Sequence, residues 1–258
     1  MDIRNLKGSI VALVTPFHAD GSVNFDKLRE LTQWHIASGT DAILALGTTG
    51  ESSTMTHEED DAVLRCVIEA AQGRVPVIAG TGSNSTQTML EKSLRAETLG
   101  AGGLLLITPY YNKGNAEGIY RHFVTVADAV KIPCILYNVP GRTGCSISVE
   151  NVERLSKHPN ICGIKEASGD MSYAMKIAHC VGPDFALWCG NDDITLPLLS
   201  IGGSGVISVW ANIMPRECHE MVMDYLEGRR EQAVAAAVKH LDLMNGLFME
   251  VNPIPVKT

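Results

Sequence analysis

Residues 161–170 read ICGIKEASGD. Four residues with the character of a buried strand lead straight into Lys165, with no turn signal between. A charge held out of water is costly unless it is paired, ligated or neutralised. Two readings follow. Lys165 could pair with Glu166 or another carboxylate and reach the strand's edge. Alternatively, desolvation lowers its pKa and leaves an amine nucleophile near neutral pH, able to form a Schiff base with a carbonyl substrate. The fragment alone leaves both open.

Other stretches carry groups that such an amine could use. Residues 47–52 read GTTGES, two hydroxyls on a glycine-bounded backbone ahead of a helix. That arrangement suits a small anion held on backbone N–H groups and hydroxyls, and it also suits an ordinary turn with capping residues. Tyr137 closes an apolar run, so its hydroxyl either caps a backbone group or carries protons. Arg142 sits in the loop PGRTG, as a solvated arginine or as a bidentate carboxylate clamp. Tyr110 and Tyr111 could pack or line an interface. No Asp, Glu or His stands at a strand end as a conventional base beside Lys165, so hydroxyls would have to move the protons. Together these groups make an amine nucleophile, an anion cradle, a hydroxyl relay and an arginine for a second acidic substrate.

The elements that must position them follow from periodicity. Eight runs rich in Val, Ile and Leu begin at Ser9, Ala42, Pro76, Gly102, Pro133, Ile161, Phe185 and Gly205. Each is nearly continuous in apolar character, as strands covered on both faces should be. Helical patterns lie between them. The pattern at 24–38 opens with Asn24 as N-cap. That at 56–71 opens with Thr56 and Glu59 spaced as a capping box, and that at 85–99 stops at Gly100. Alternating strands and helices imply parallel βα units, and eight of them fit an α/β fold of the closed (β/α)8 TIM barrel type. A dinucleotide-binding sheet does not fit, because no G-x-G-x-x-G follows the first run and no G-x-x-x-x-G-K-[ST] occurs. The expected organisation is a barrel over 1–225 and the start of a C-terminal helical region over 226–258. That region comprises one amphipathic helix outside the barrel, followed by NPIPVKT in extended, Pro-rich backbone. In such a barrel the active site gathers at the C-terminal ends of the strands, where GTTGES, TPYY, YNVPGRTG, Lys165, CGND and ISVW all fall.

Composition excludes other classes. The 258 residues carry a formal net charge of -8, and only 5% are aromatic, so no basic patch with interleaved aromatics suggests nucleic acid as a partner. No window approaches the length of apolar run that a membrane span needs, and the N-terminus has no signal-peptide pattern. A cytoplasmic protein is expected. The seven cysteines, at 66, 134, 145, 162, 180, 189 and 218, include no C-x-x-C pair and read as reduced core residues. The histidines lack H-x-x-x-H or H-E-x-x-H spacing, so no metal site is expected.

With these residues in place, the sequence resembles the dihydrodipicolinate synthase family, also called 4-hydroxy-tetrahydrodipicolinate synthases. These are pyruvate-dependent class I aldolases related to N-acetylneuraminate lyase. GTTGES, TPYYN, YNVPGRTG, GIKEASGD and NPIPVK resemble the family's motifs in order over essentially the whole chain. The resemblance implies that Lys165 forms a Schiff base with pyruvate and that Tyr137, Thr48 and Tyr111 relay protons, Tyr111 reaching in from a neighbouring subunit. It implies that Thr49, with Thr48, holds the pyruvate carboxylate, and that the backbone of Gly190 and Ile207 lines the same pocket. Arg142 would bind the carboxylate of L-aspartate 4-semialdehyde. The implied product is 4-hydroxy-tetrahydrodipicolinate, in the first committed step of diaminopimelate and lysine biosynthesis. It further implies a homo-oligomer, dimer or tetramer, and no metal or organic cofactor, since lysine itself is the electron sink.

Two departures from the family's pattern stand out. Ser53, His57, Asn84 and Tyr110 resemble the site at which regulated members bind lysine, but Asp60 and Thr88 stand where a histidine and a glutamate are often found. Loss of that glutamate should weaken recognition of the lysine ammonium. The chain also stops short of the family's final helices, which resemblance places outside the barrel. Rival readings keep the barrel but change its use. One is a pyruvate aldolase for sugar acids, of N-acetylneuraminate lyase or related type. Another is a catalytically silent barrel that binds a keto acid. A phosphate-binding barrel would rest on GGSG at 202–205, which precedes the last strand and so falls on the wrong face.

Overall fold

Each of the eight apolar runs becomes a strand, buried throughout except for the half-buried Ile107 at the end of the fourth. The computed structural model describes residues 3–258. Its strands are β1 (Gly8–Ala12), β2 (Ala42–Ala45), β3 (Val77–Gly80), β4 (Gly103–Ile107), β5 (Cys134–Asn138), β6 (Ile161–Glu166), β7 (Ala186–Cys189) and β8 (Gly205–Ser208). They pair in chain order and in parallel, and β8 closes on β1. This is the (β/α)8 barrel expected from the alternation of strand and helix.

Side chains alternate across each strand, and the two faces build two apolar masses. Ile10, Leu44, Ile78, Leu105, Ile135, Trp188 and Ile207 fill the barrel's interior. Val11, Ile43, Leu104, Leu106, Leu136 and Ile164 face outward against the helices, where Phe123, Val126 and Val67 meet them. Phe123 is fully buried, and removing such a side chain costs about 3–5 kcal/mol. The helices begin where local chemistry starts them. Asn24 accepts the Lys27 amide ahead of Phe25–Ala37, and Thr56 and Glu59 form the reciprocal capping box of His57–Ala71. Ser85 caps Thr86–Leu99, which ends in a left-handed Gly100.

The GGSG stretch is explained by packing. Gly205 pairs with Gly8 across the β1/β8 seam, where a Cβ at position 205 would come within 1.9 Å of the Gly8 carbonyl oxygen. The glycines let two backbones touch at the bottom of the barrel.

The helix Pro215–Leu226 after β8 packs on β1 and β8, and beyond it Arg230–Gly246 packs against that helix on the outside of the barrel. Val234, Val238 and Leu241 on the second helix face solvent. The chain then turns back over the barrel mouth. Residues 252–258 are not extended as expected, because Ile254–Lys257 forms one helical turn. Pro253 and Pro255 are compatible with it, since prolines sit comfortably in a helix's first turn, where no N–H partner is lost. Among the described residues no helix is long and apolar enough to cross a membrane, and all seven cysteines are free.

Candidate active site

Lys165 and Glu166 are neighbours on β6 and therefore point to opposite faces. Glu166 turns outward, where its carboxylate accepts hydrogen bonds from Asn138 Nδ2 at 2.7 Å and the Ser168 amide at 2.6 Å. The purely structural reading, a Lys165–Glu166 pair, is thereby removed. Lys165 turns inward. It is 5% exposed and its ammonium forms no ion pair among the described residues. Burial lowers its pKa to about 8, with Asp192 and Cys189 opposing the fall and Arg142 adding to it.

Tyr137 lies opposite Lys165 in the β5/β6 register, and Lys165 Nζ is 4.6 Å from the centre of its ring. Burial pushes the phenol up to about 12, against the pull of Arg142 and of a hydrogen bond with the Thr48 hydroxyl. The phenol therefore stays protonated at neutral pH and can exchange its proton along the Thr48 hydroxyl. Thr48 and Thr49 open a tight turn, Thr48–Gly50, directly after β2. Thr49 is buried, and its Oγ1 accepts a hydrogen bond from Asn252 Nδ2 at 2.9 Å.

These groups share one cavity of about 180 Å³, lined by Lys165, Tyr137, Thr48, Thr49, Arg142 and Gly190 among others. Gly190 is there because nothing larger fits. A Cβ at this position would stand 2.5 Å from Ala167 Cβ and 3.0 Å from Lys165 Cε. Arg142 stands exposed on the short helix Pro140–Thr143 at the mouth and makes no ion pair among the described residues. Its guanidinium is free to take a carboxylate.

The structure places some expected residues elsewhere. Ile207 joins the apolar interior, and Val209, two residues on, lines the cavity instead. Tyr111 is 88% exposed, in a left-handed conformation with φ 76°, and does not line its own chain's cavity. Ser53, His57 and Tyr110 line a second cavity of about 390 Å³ that shares Gly47, Thr48, Leu105, Tyr137 and Arg142 with the first. Asn84 is not part of that lining. Its one acid, Asp60, is buried and paired with Lys92 at 2.8 Å.

Three residues of the mouth escaped sequence reasoning. No conventional base was expected beside Lys165, and Asp192, though near enough to oppose the fall of its pKa, does not line the cavity. The turn Asp192–Ile194 after β7 folds its carboxylate inward, where it accepts the Val209 and Trp210 amides at 3.1 and 2.8 Å. Burial raises its pKa, with hydrogen bonds from Ser208, Trp210 and Val209 opposing. Asn252 and Phe248 arrive from the C-terminal segment. Asp192 could have been suspected from its place in CGND and Asn252 from opening the NPIPVK motif, but nothing in the local sequence marks Phe248.

Comparison with known proteins identifies the family. Residues 5–258 match the model of the dihydrodipicolinate synthetase family. A Geotalea daltonii protein named 4-hydroxy-tetrahydrodipicolinate synthase is 52% identical over 252 residues, spanning 98% of this chain and 87% of its own. The crystal structure of the Aquifex aeolicus dihydrodipicolinate synthase superposes with a TM-score of 0.95 at 45% identity, covering 97% of this chain and 86% of its own. The chloride-inhibited Acinetobacter baumannii enzyme, solved in complex with pyruvate, gives 0.95 at 45%, covering 98% and 87%. The chain belongs to the dihydrodipicolinate synthetase family.

Proposed function

We propose that this chain condenses pyruvate with L-aspartate 4-semialdehyde to 4-hydroxy-tetrahydrodipicolinate through a Schiff base on Lys165. The observation that carries the reading is a buried, unpaired lysine with its pKa lowered to about 8, in a cavity it shares with hydroxyls and an arginine. Lowering the pKa from the ordinary lysine value of 10.5 to about 8 raises the neutral fraction at pH 7 by about 300-fold. That neutral amine attacks the pyruvate ketone, and loss of water leaves an iminium. The Tyr137 phenol, through Thr48, gives up the proton that lets the carbinolamine hydroxyl leave as water, and the phenolate so formed takes the acidified methyl proton to give the enamine.

The enamine carbon then bonds to the aldehyde carbon of the semialdehyde, whose carboxylate Arg142 holds. The adduct's own amino group displaces Lys165 from the imine carbon, which closes the six-membered ring and restores the free amine. Thr49 and Thr48 hold the pyruvate carboxylate throughout. Tyr111 completes the relay from a neighbouring copy in a homodimer or homotetramer, a reading supported by its exposure on its own chain. We read the second cavity as a weak lysine receptor, because Asp60 already has Lys92 as its cation. The free cysteines fit action in the cytoplasm.

Steady-state turnover of pyruvate with L-aspartate 4-semialdehyde, set against sugar aldehydes, tests the proposal. Turnover with the semialdehyde alone is expected. Preference for a sugar aldehyde would make this an aldolase of a different specificity, and no turnover with any aldehyde would favour the silent barrel.

A further inference from the structure

Asn252 stands 203 residues after Thr49 in the chain, yet its amide Nδ2 donates to Thr49 Oγ1 at 2.9 Å. The side chain is 5% exposed and borders the Lys165 cavity. Its Oδ1 is buried without a hydrogen-bond partner among the described residues. Among the described residues the Thr49 hydroxyl forms no other hydrogen bond, so its own proton has no acceptor there. A hydroxyl whose oxygen accepts from an amide must direct that proton elsewhere, and here elsewhere is the cavity.

The segment carrying Asn252 is tied to the same loop at a second point. Lys257 Nζ donates to the Thr15 carbonyl at 2.9 Å and pairs with Glu51 at 2.5 Å, while Thr15 Oγ1 donates to the Gly50 carbonyl at 2.7 Å. Residues 252–257 thus strap the Thr48–Gly50 turn across the barrel mouth.

We infer that Asn252 is a positioning residue for the condensation: it fixes the Thr49 oxygen as an acceptor and so aims the Thr49 O–H at the keto-acid carboxylate. This rests on the Schiff-base reading of Lys165. The orientation of the amide matters. Turned over, its oxygen would take the Thr49 proton and leave nothing to donate to the substrate. Asn252→Asp imposes that state at unchanged size, since a carboxylate only accepts.

The test is a double-mutant cycle read on the KM for pyruvate, with Asn252→Ala, Thr49→Val and the double variant. Asn252→Ala and Asn252→Asp are expected to raise KM by about tenfold or more, the worth of one charge-assisted hydrogen bond, with a smaller change in kcat. The double variant is expected to match Thr49→Val alone. Effects of Asn252→Ala and Thr49→Val that multiply would overturn the inference, as would an Asn252→Asp protein with unaltered KM. Asn252→Asp keeps side-chain volume, so it decides the matter even if the alanine variant fails to fold. Borohydride trapping of pyruvate on the unaltered protein separates the two levels, because a missing adduct there removes the Schiff-base reading itself.

Discussion

Tyr137 and Lys165 face each other across neighbouring parallel strands, with the Lys165 ammonium 4.6 Å from the phenol ring centre. One strand pair therefore delivers the nucleophile and the proton carrier to the same point, and the rigid barrel keeps them in register. Burial acts on the two in opposite senses of charge but to one end: it favours the neutral amine and the neutral phenol.

The pH dependence follows from the amine. Below about 8 Lys165 is increasingly protonated and cannot attack, so kcat/KM for pyruvate should fall about tenfold per pH unit there and level off above it. A profile of kcat/KM that is flat from pH 6 to 9 would contradict this.

Stability carries the same signature with its sign fixed by linkage. The folded pKa is lowered from 10.5 to about 8, so between those values the unfolded chain binds more protons, and stability rises with pH across that window. The penalty, about 3 kcal/mol from the size of the shift, is fully present below the folded value. Chemical denaturation of the native protein and Lys165→Met across this window should show the native protein gaining relative to the variant as pH rises.

Tyr137→Phe keeps the ring but loses the proton. Turnover should drop by about 100-fold or more, the usual scale of a lost general acid–base group, while the melting temperature changes little. Stopped-flow measurement of enamine formation would locate the loss at the proton-transfer step.

Gly190→Ala drives a methyl against Ala167 and Lys165 Cε. Overpacking of this kind costs about 1–3 kcal/mol, and the displaced amine should lose most of its turnover. Thermal unfolding and activity together check both halves of the expectation.

Arg142→Lys exchanges a planar fork for a point charge. The KM for L-aspartate 4-semialdehyde should rise by about tenfold while pyruvate trapping is unchanged, because only the second substrate uses the guanidinium. Equal loss of both would place Arg142 at the pyruvate carboxylate instead.

The barrel was legible because strands buried on both faces leave continuous apolar runs, and helix caps such as Thr56 with Glu59 are local in sequence. Lys165 was legible for the complementary reason, a charge interrupting such a run. Asp192 was harder, since an acid after a strand reads equally as a turn residue, and only the fold shows its carboxylate turned inward. The role of Asn252 was out of reach, although it opens the NPIPVK motif. Its meaning lies in a bond to Thr49 across 203 residues, and no periodicity encodes a contact of that span. The NPIPVKT stretch misled because its prolines suit extended backbone and a helix's first turn alike.

The central claim is that one dry, uncharged amine captures pyruvate covalently. Reduction with borohydride in the presence of pyruvate, followed by mass spectrometry of the peptides, should find one pyruvate-derived adduct, on Lys165, and none in Lys165→Arg. An adduct on another lysine, or an unmodified chain that still turns over, would contradict the account.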